Sequence, residues 1–173
     1  MHQIPITRAV FEDDDLAAIQ EPLRSGWVVQ GPQVAAFERD FARWTQAGHA
    51  MATTSCTTAL QLALAALGCQ RCDEVIVPAF TWSATANVVE HCGARPVFVD
   101  VDLTTYNIDC DAIEAAITPR TVGIIPVHLF GQPAEMHRIM AIARRRGLWV
   151  VEDAACGFDT WLDDHHVGTF GEF

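Results

Sequence analysis

Short apolar runs alternate with segments of helical period along most of this sequence, and that order constrains the fold more than any other feature. The apolar runs fall at residues 50–53, 75–77, 96–99, 122–127 and 148–151. The segments with helical spacing fall at residues 57–67, after Ser83, at 111–117 and at 134–146. Strands that alternate with helices build βαβ units. The pattern therefore predicts an α/β fold in three layers, with helices on both faces of a mostly parallel sheet.

The first 48 residues carry a different pattern, with helical spacing and no apolar run of strand length. Residues 13–24 and a segment after Pro32 both have helical period. The apolar face of the second segment is expected in the core and consists of Val34, Phe37, Phe41 and Trp44. We predict that residues 1–48 form an N-terminal helical segment of the same folding unit as residues 49–173.

The balance of charge argues against one large class of partner. The 173 residues include 22 acidic and 11 basic side chains, a net charge of −11, and every basic residue is arginine. Because binding to a phosphate backbone depends on clustered positive charge, we expect no nucleic acid partner. The sequence has no apolar stretch of roughly 20 residues and no secretory signal at its start. We therefore expect no membrane span and a cytoplasmic location.

Two groups of metal-ligand residue types have simpler explanations than a metal site. Cys69 and Cys72 form a single C-x-x-C in a loop, whereas a structural zinc site needs a second ligand pair. Residues 163–166, Asp-Asp-His-His, are adjacent in the chain, and adjacent residues rarely converge on one ion. We expect a polar turn there, reduced cysteines and no metal.

Three segments that follow predicted strands could carry chemistry, because ligands of α/β sheets collect beyond the carboxyl ends of the strands. Ser55 and its hydroxylated neighbours open a helix, where free amides can bind a phosphate or the serine can simply cap the helix. Trp82 can stack on a planar ring or pack in the core. Glu152 and Asp153 end a strand, and only one of them can point directly into a given site because successive strand residues face opposite ways.

These segments occur together with two longer motifs. Residues 126–133 read Pro-Val-His-Leu-Phe-Gly-Gln-Pro, and residues 105–109 read Thr-Tyr-Asn-Ile-Asp. Together with Thr-Thr-Ser-Cys-Thr-Thr at 53–58 and Glu-Asp-Ala-Ala at 152–155, they resemble the DegT/DnrJ/EryC1/StrS sugar aminotransferase family of fold type I pyridoxal phosphate enzymes. The resemblance covers nearly the whole chain. It implies that residues 49–173 belong to the large, cofactor-binding α/β domain of that class.

The resemblance implies pyridoxal 5'-phosphate as the cofactor and assigns residues to it. The cofactor phosphate would lie at Cys56 and Thr57, beside Ser55. Trp82 would stack on the pyridine ring. Asp153 would pair with the ring nitrogen and keep it protonated, which strengthens the ring as an electron sink.

Two further positions come from the same resemblance. His128 lies close to the site in the family pattern, and we consider it a candidate catalytic residue beside Asp153. Cys156 stands where many relatives carry the glutamine that contacts the cofactor, and this departure affects the contact to the ring hydroxyl. No metal ligand is implied.

The end of the sequence resembles family text that normally leads into the segment with the Schiff-base lysine, and the 173 residues contain no lysine. We therefore expect the large domain to be incomplete at its C-terminus and the chain alone to be inactive. The intact homodimer would transfer an amino group from an amino-acid donor to a keto group on a nucleotide-linked sugar. Two alternatives stay open: a sugar dehydratase of the same family, with histidine in place of lysine, and a non-catalytic binding or assembly subunit.

Overall fold

Four of the apolar runs form the strands of one sheet, as their pattern predicts. The computed structural model describes residues 8–173. The strands of this part are Glu74–Pro78 (β1), Arg95–Val99 (β2), Thr121–Ile124 (β3), Trp149–Val150 (β4), Trp161–Leu162 (β5) and His165–His166 (β6). The α-helices of the described residues are Asp13–Ser25 (α1), Pro32–Thr45 (α2), Cys56–Ala66 (α3), Ala84–His91 (α4), Cys110–Ala116 (α5) and Met136–Arg146 (α6).

The sheet has the strand order β2-β1-β3-β4, and all four strands are parallel. Ile76 lies opposite Val97 on one side and Ile124 on the other. The chain passes from β1 to its neighbour β2 through α4, returns across β1 to β3 through α5, and continues to β4 through α6. This reversal of direction places a switch point between β1 and β3, where open α/β sheets bind their ligands.

Helices cover both faces of the sheet, so the predicted three-layer α/β architecture is confirmed. Ile76, Ile124 and Val150 pack with residues of α5 and α6. The alternate strand residues, including Val75 and Val77, pack with residues of α3 and α4. Both sets are excluded from solvent, which explains why the strands read as continuous apolar runs rather than as alternating ones.

The expected strand at residues 50–53 is wrong. This segment has no regular structure and pairs with none of the described strands. The amide of Ala52 donates instead to Oε1 of Glu38 in α2, at 2.8 Å. An apolar run can form a strand only when a neighbour offers the other half of the ladder, and the sequence of the run does not contain that information.

The expected burial of the apolar face of α2 is also wrong. Phe37 and Trp44 are 59% and 56% exposed. Phe41 is half-buried between Phe37 and Phe158, with ring centroids 5.7 Å and 6.1 Å away. Nothing in the described part of the chain covers the rest of this face. The helical period of this segment is confirmed, but the period does not specify what packs on the helix.

The polar segment at 163–166 forms the turn and second strand of a short β5–β6 hairpin. Among residues 8–173, no group of three or more histidine, cysteine or acidic side chains is arranged to hold a metal. Cys69 and Cys72 are both free thiols. No helix between residues 8 and 173 combines the length and the apolarity that crossing a bilayer requires.

Candidate functional site

Three elements meet at the carboxyl edge of the sheet, around the side chain of Asp153. Asp153 follows β4 and is only 5% exposed. Its Oδ2 accepts a hydrogen bond of 2.7 Å from the Thr85 hydroxyl in α4. Its Oδ1 accepts from the amide of Ala155 at 3.2 Å and from the thiol of Cys56 at 3.7 Å. The carboxylate thus connects the ends of β4, α3 and α4, which are far apart in sequence.

The start of α3 forms the second part of the site. Ser55 is the N-cap residue, and its hydroxyl accepts from the amide of Thr58 at 3.2 Å. The first backbone bond of the helix runs from Ala59 to the Ser55 carbonyl. The amides of Cys56 and Thr57 therefore precede the helical hydrogen bonds and remain available to an anion. The two interpretations of this segment, cap and phosphate cradle, are compatible because they use different donors.

The thiol of Cys56 acts here as a hydrogen-bond donor. Cys56 is exposed as a residue, but partial burial of its thiol raises the pKa to about 11, and the neighbouring carboxylate of Asp153 adds to the effect. A thiol with this pKa stays protonated at neutral pH and is a poor nucleophile. Cys156 lies nearby and is exposed.

Trp82 and Thr85 lie close together in the sequence, Trp82 just before α4 and Thr85 in its first turn. Trp82 is 79% exposed, so its ring is free to cover a ligand at this edge of the sheet. Thr85 is fully buried, and its hydroxyl donates to Asp153. Sequence reasoning identified Trp82 and missed Thr85. The available signal was its place in the first turn of α4, three residues after the tryptophan and on the inner side of the helix.

His128 and Glu152 lie on the opposite side of the β4 end from Asp153. The two side chains are fully buried, and Nε2 of His128 is 2.9 Å from Oε2 of Glu152. The structure thus confirms that the adjacent acids Glu152 and Asp153 face opposite ways. It brings Ser55, Cys56 and Asp153 together and places His128 with Glu152 instead.

Opposing effects act on the carboxyl group of Glu152. Burial alone would raise its pKa, but hydrogen bonds from His128 and from the amides of Gly168 and Gly171 outweigh burial and lower it. Glu152 is therefore ionised at neutral pH. A buried carboxylate is stable only with such a set of donors.

The parallel four-stranded sheet with helices on both faces gives this chain the fold of type I pyridoxal phosphate aminotransferases, which include its solved neighbours. The chain belongs to the DegT/DnrJ/EryC1/StrS aminotransferase family, whose model matches residues 10–173.

Relatives of known structure or curated function agree with this assignment. The chain is 44% identical to the spore coat polysaccharide biosynthesis protein SpsC of Bacillus subtilis (strain 168), over 99% of this chain and 44% of that relative. It superposes on the aminotransferase from Psychrobacter cryohalolentis with a TM-score of 0.91 and 37% identity, over 96% of this chain and 43% of the other. The chain thus spans less than half the length of these relatives.

A third relative links the fold to two forms of one cofactor. The putative sugar aminotransferase Spr1654 from Streptococcus pneumoniae was solved in a PLP form and in a PMP form. The PLP form matches this chain with a TM-score of 0.93 and 31% identity, over 99% of this chain and 47% of the other.

Proposed function

We propose that this chain is the cofactor-binding part of a pyridoxal phosphate-dependent sugar aminotransferase. The observation that supports this most directly is the convergence of the free amides of α3 and the carboxylate of Asp153 on one edge of the sheet. The phosphate and the ring nitrogen of the cofactor are its two polar ends. The amides would donate to the phosphate, and the carboxylate of Asp153 would accept the proton of the ring nitrogen.

The start of α3 would hold the phosphate. The amides of Cys56 and Thr57 point out of the helix, and the helix dipole favours a negative group at this end. The hydroxyl of Thr57, together with Ser55, would add hydrogen bonds to the phosphate. A cradle of this kind needs no lysine or arginine, in keeping with an acidic chain that has no lysine.

Asp153 would hold a proton on the ring nitrogen. When bound, the cofactor supplies a protonated ring that withdraws electrons from a substrate carbon. The carboxylate of Asp153 makes that protonated form favourable, because an adjacent negative charge raises the pKa of a ring nitrogen. Thr85 and the amide of Ala155 hold the carboxylate in its orientation.

The remaining candidate residues have supporting roles in this proposal. Trp82 would cover one face of the ring and exclude water from it. Cys156, at the position of the family glutamine, would lie beside the ring and offer only a weak donor. His128 would act indirectly, since both of its nitrogens already have partners within the fold.

For the whole protein, we propose transfer of an amino group from an amino-acid donor to a keto-sugar with a nucleotide attached. A putative sugar aminotransferase and a polysaccharide biosynthesis protein among the relatives support the sugar as the substrate class. The amine that moves protons at the substrate carbon would come from outside these 173 residues, since they contain no lysine. We further propose a cytoplasmic homodimer as the active form.

Pyridoxamine phosphate gives a direct test on the chain itself, because its binding requires no lysine. We expect saturable binding, followed by tryptophan fluorescence, and much weaker binding of pyridoxamine, which lacks the phosphate. Thr57→Ala should weaken the binding of the phosphate form about tenfold, as expected for the loss of a hydrogen bond to a charged group. Equal affinity for the two ligands, or no binding by the unaltered chain, would disprove the proposal.

The role of Asp153 is tested by the protonation of the bound ring. With pyridoxamine phosphate labelled at the ring nitrogen, the nitrogen-15 chemical shift reports the pKa of that nitrogen. Asp153→Asn should lower this pKa while the phosphate form still binds, because an amide cannot stabilise the proton by charge. Asp164→Asn, at an exposed position without side-chain contacts, is the matched control. An unchanged pKa in Asp153→Asn would remove Asp153 from this role.

A further inference from the structure

The ring of His128 is held between two partners, one on each nitrogen. Its Nδ1 accepts a hydrogen bond of 3.1 Å from the amide of Ala134 and therefore carries no proton. The proton lies on Nε2, which donates to Oε2 of Glu152 at 2.9 Å. Both side chains are fully excluded from solvent. The ring is thus fixed in orientation by a backbone group on one side and by a carboxylate on the other.

Glu152 receives two hydrogen bonds on each oxygen. Oε2 accepts from His128 and from the amide of Gly168 at 2.8 Å, and Oε1 accepts from the amides of Phe170 and Gly171 at 2.7 Å and 2.9 Å. All four partners are donors, so only a group with two acceptor oxygens fits. An amide in either orientation would turn its NH₂ toward two N–H groups. The fold therefore requires a carboxylate at this position.

The backbone connects this cluster to the site in two places. The amide of Asp153 donates to the carbonyl of Pro126 at 2.9 Å, and the amide of His128 donates to the carbonyl of Asp153 at 3.1 Å. Asp153 is therefore bonded through its backbone to the same segment that carries His128. It is also the next residue after Glu152, so any shift of the Glu152–His128 pair moves the Asp153 carboxylate.

The segment that follows the β5–β6 hairpin packs closely against β4. Gly171 lies so close to β4 that a Cβ atom there would overlap the carbonyl oxygen of Val150. The amide of Glu172 donates to that carbonyl at 2.9 Å. The amides that bind Glu152 therefore belong to a segment with little freedom to follow the side chain if it moved.

We infer that Glu152 and His128 are a positioning pair, which holds the carboxylate of Asp153 where it can stabilise the proton on the ring nitrogen of the cofactor and orient the ring. Neither residue touches the ring. This role rests on the proposed function of Asp153 and adds to it the requirement of a second, buried acid.

The protonation of bound pyridoxamine phosphate tests the pair with a readout that general destabilisation does not move. Glu152→Gln should lower the protonation constant of the ring nitrogen about tenfold, because a displaced carboxylate stabilises the proton less. His128→Asn keeps an acceptor for Ala134 but is too short to reach Glu152, and it should lower the constant by about threefold. His128→Gln restores a donor toward Glu152 and should return the constant toward the unaltered value.

The control and the competing outcomes separate this proposal from the one on which it rests. Glu90→Gln, at an exposed position of α4, should leave the constant unchanged. If Glu152→Gln and His128→Asn bind the ligand with an unaltered constant while Asp153→Asn lowers it, the positioning role is wrong and the proposed function stands. If Asp153→Asn also leaves the constant unaltered, both are wrong. Should Glu152→Gln not fold, the two His128 variants decide alone, and equal constants in them would overturn the pairing.

Discussion

The two sides of the β4 end differ in the kind of donor that surrounds each acid. Glu152 is bound by three backbone amides and a fixed imidazole. Asp153 is bound mostly by a hydroxyl and a thiol, which can rotate toward other acceptors, and by a single amide. Asp153 can therefore give up a lone pair to a ligand without leaving a donor unsatisfied, whereas Glu152 cannot. Of the two adjacent acids, Glu152 is therefore fixed within the fold, and Asp153 is the one that the proposed function assigns to the cofactor.

The largest expected effect is the loss of stability when Glu152 is removed. Glu152→Ala leaves four donors without their acceptor, the buried His128 among them, and we expect it to lower the free energy of unfolding by about 3–5 kcal/mol. Asp153→Ala should lower it by only about 1–2 kcal/mol, since its donors can turn to other partners or to water. Urea unfolding monitored by circular dichroism measures both, with Glu90→Ala expected within about 0.5 kcal/mol of the unaltered chain. Equal losses for the two acids would contradict the comparison.

Lowering the pH should also destabilise the chain through Glu152. Hydrogen bonds lower the pKa of Glu152 below its ordinary 4.5 in the folded chain. The unfolded chain therefore takes up the proton first as pH falls, and stability decreases below about pH 4.5. The pKa of Glu74 is also lowered, by Thr118 and Arg120, and it contributes in the same range. Unfolding free energies between pH 7 and 3 should fall less steeply in Glu152→Gln than in the unaltered chain, and parallel curves would show that Glu152 does not contribute.

The sequence predicted the order of β1 to β4 and of the helices between them, because both are periodic features of the local chain, but it also predicted a strand at 50–53 that does not form. It also predicted that Glu152 and Asp153 face opposite sides, which follows from the geometry of one strand. The sequence was a poorer guide to which residues are buried. Phe37 and Trp44 have the spacing of a core face and are exposed, since spacing does not reveal what covers a face.

Thr85 could not be found by the same reasoning. Its importance depends on a contact to Asp153, 68 residues further along the chain. A threonine near a helix start is common, and only the fold shows that this one donates to a buried carboxylate. The sequence also did not reveal how Glu152 is held, because three of its four partners are backbone amides, which carry no sequence signal. The roles assigned to the site residues all stay predictions: those of Ser55, Cys56, Thr57, Trp82, His128, Asp153 and Cys156.

A smaller effect is expected at Thr85, on the side of the strand that faces the ligand. Thr85→Val keeps the shape of the side chain but removes the hydroxyl that orients Asp153. We expect pyridoxamine phosphate to bind about tenfold more weakly, a change of about 1.4 kcal/mol. Thr85→Ser keeps the hydroxyl and should bind nearly as the unaltered chain does. Weak binding by Thr85→Ser together with normal binding by Thr85→Val would assign the loss to packing of the methyl group instead.

The smallest effect is expected at Cys56, whose thiol is the weakest donor to Asp153. Cys56→Ala should change stability by less than about 1 kcal/mol at pH 7, because a thiol forms only weak hydrogen bonds.

At alkaline pH, Cys56 should contribute more to the pH dependence of stability. Burial and Asp153 raise its pKa from 9.0 to about 11, so the unfolded chain loses the proton first and stability decreases as pH rises from 9 toward 11. Cys69 and Cys110, with pKa values raised to about 11 and about 12, act in the same direction, so Cys56→Ala should flatten this decrease without abolishing it. Urea unfolding between pH 7 and 10.5 measures the slope, and Cys72→Ser, at an exposed thiol, should leave it unchanged. If the unfolding free energy of Cys56→Ala falls with pH as steeply as that of the unaltered chain, the Cys56 thiol ionises as easily in the folded chain as in the unfolded one. The surroundings of Asp153 would then be more open to water than its 5% exposure indicates.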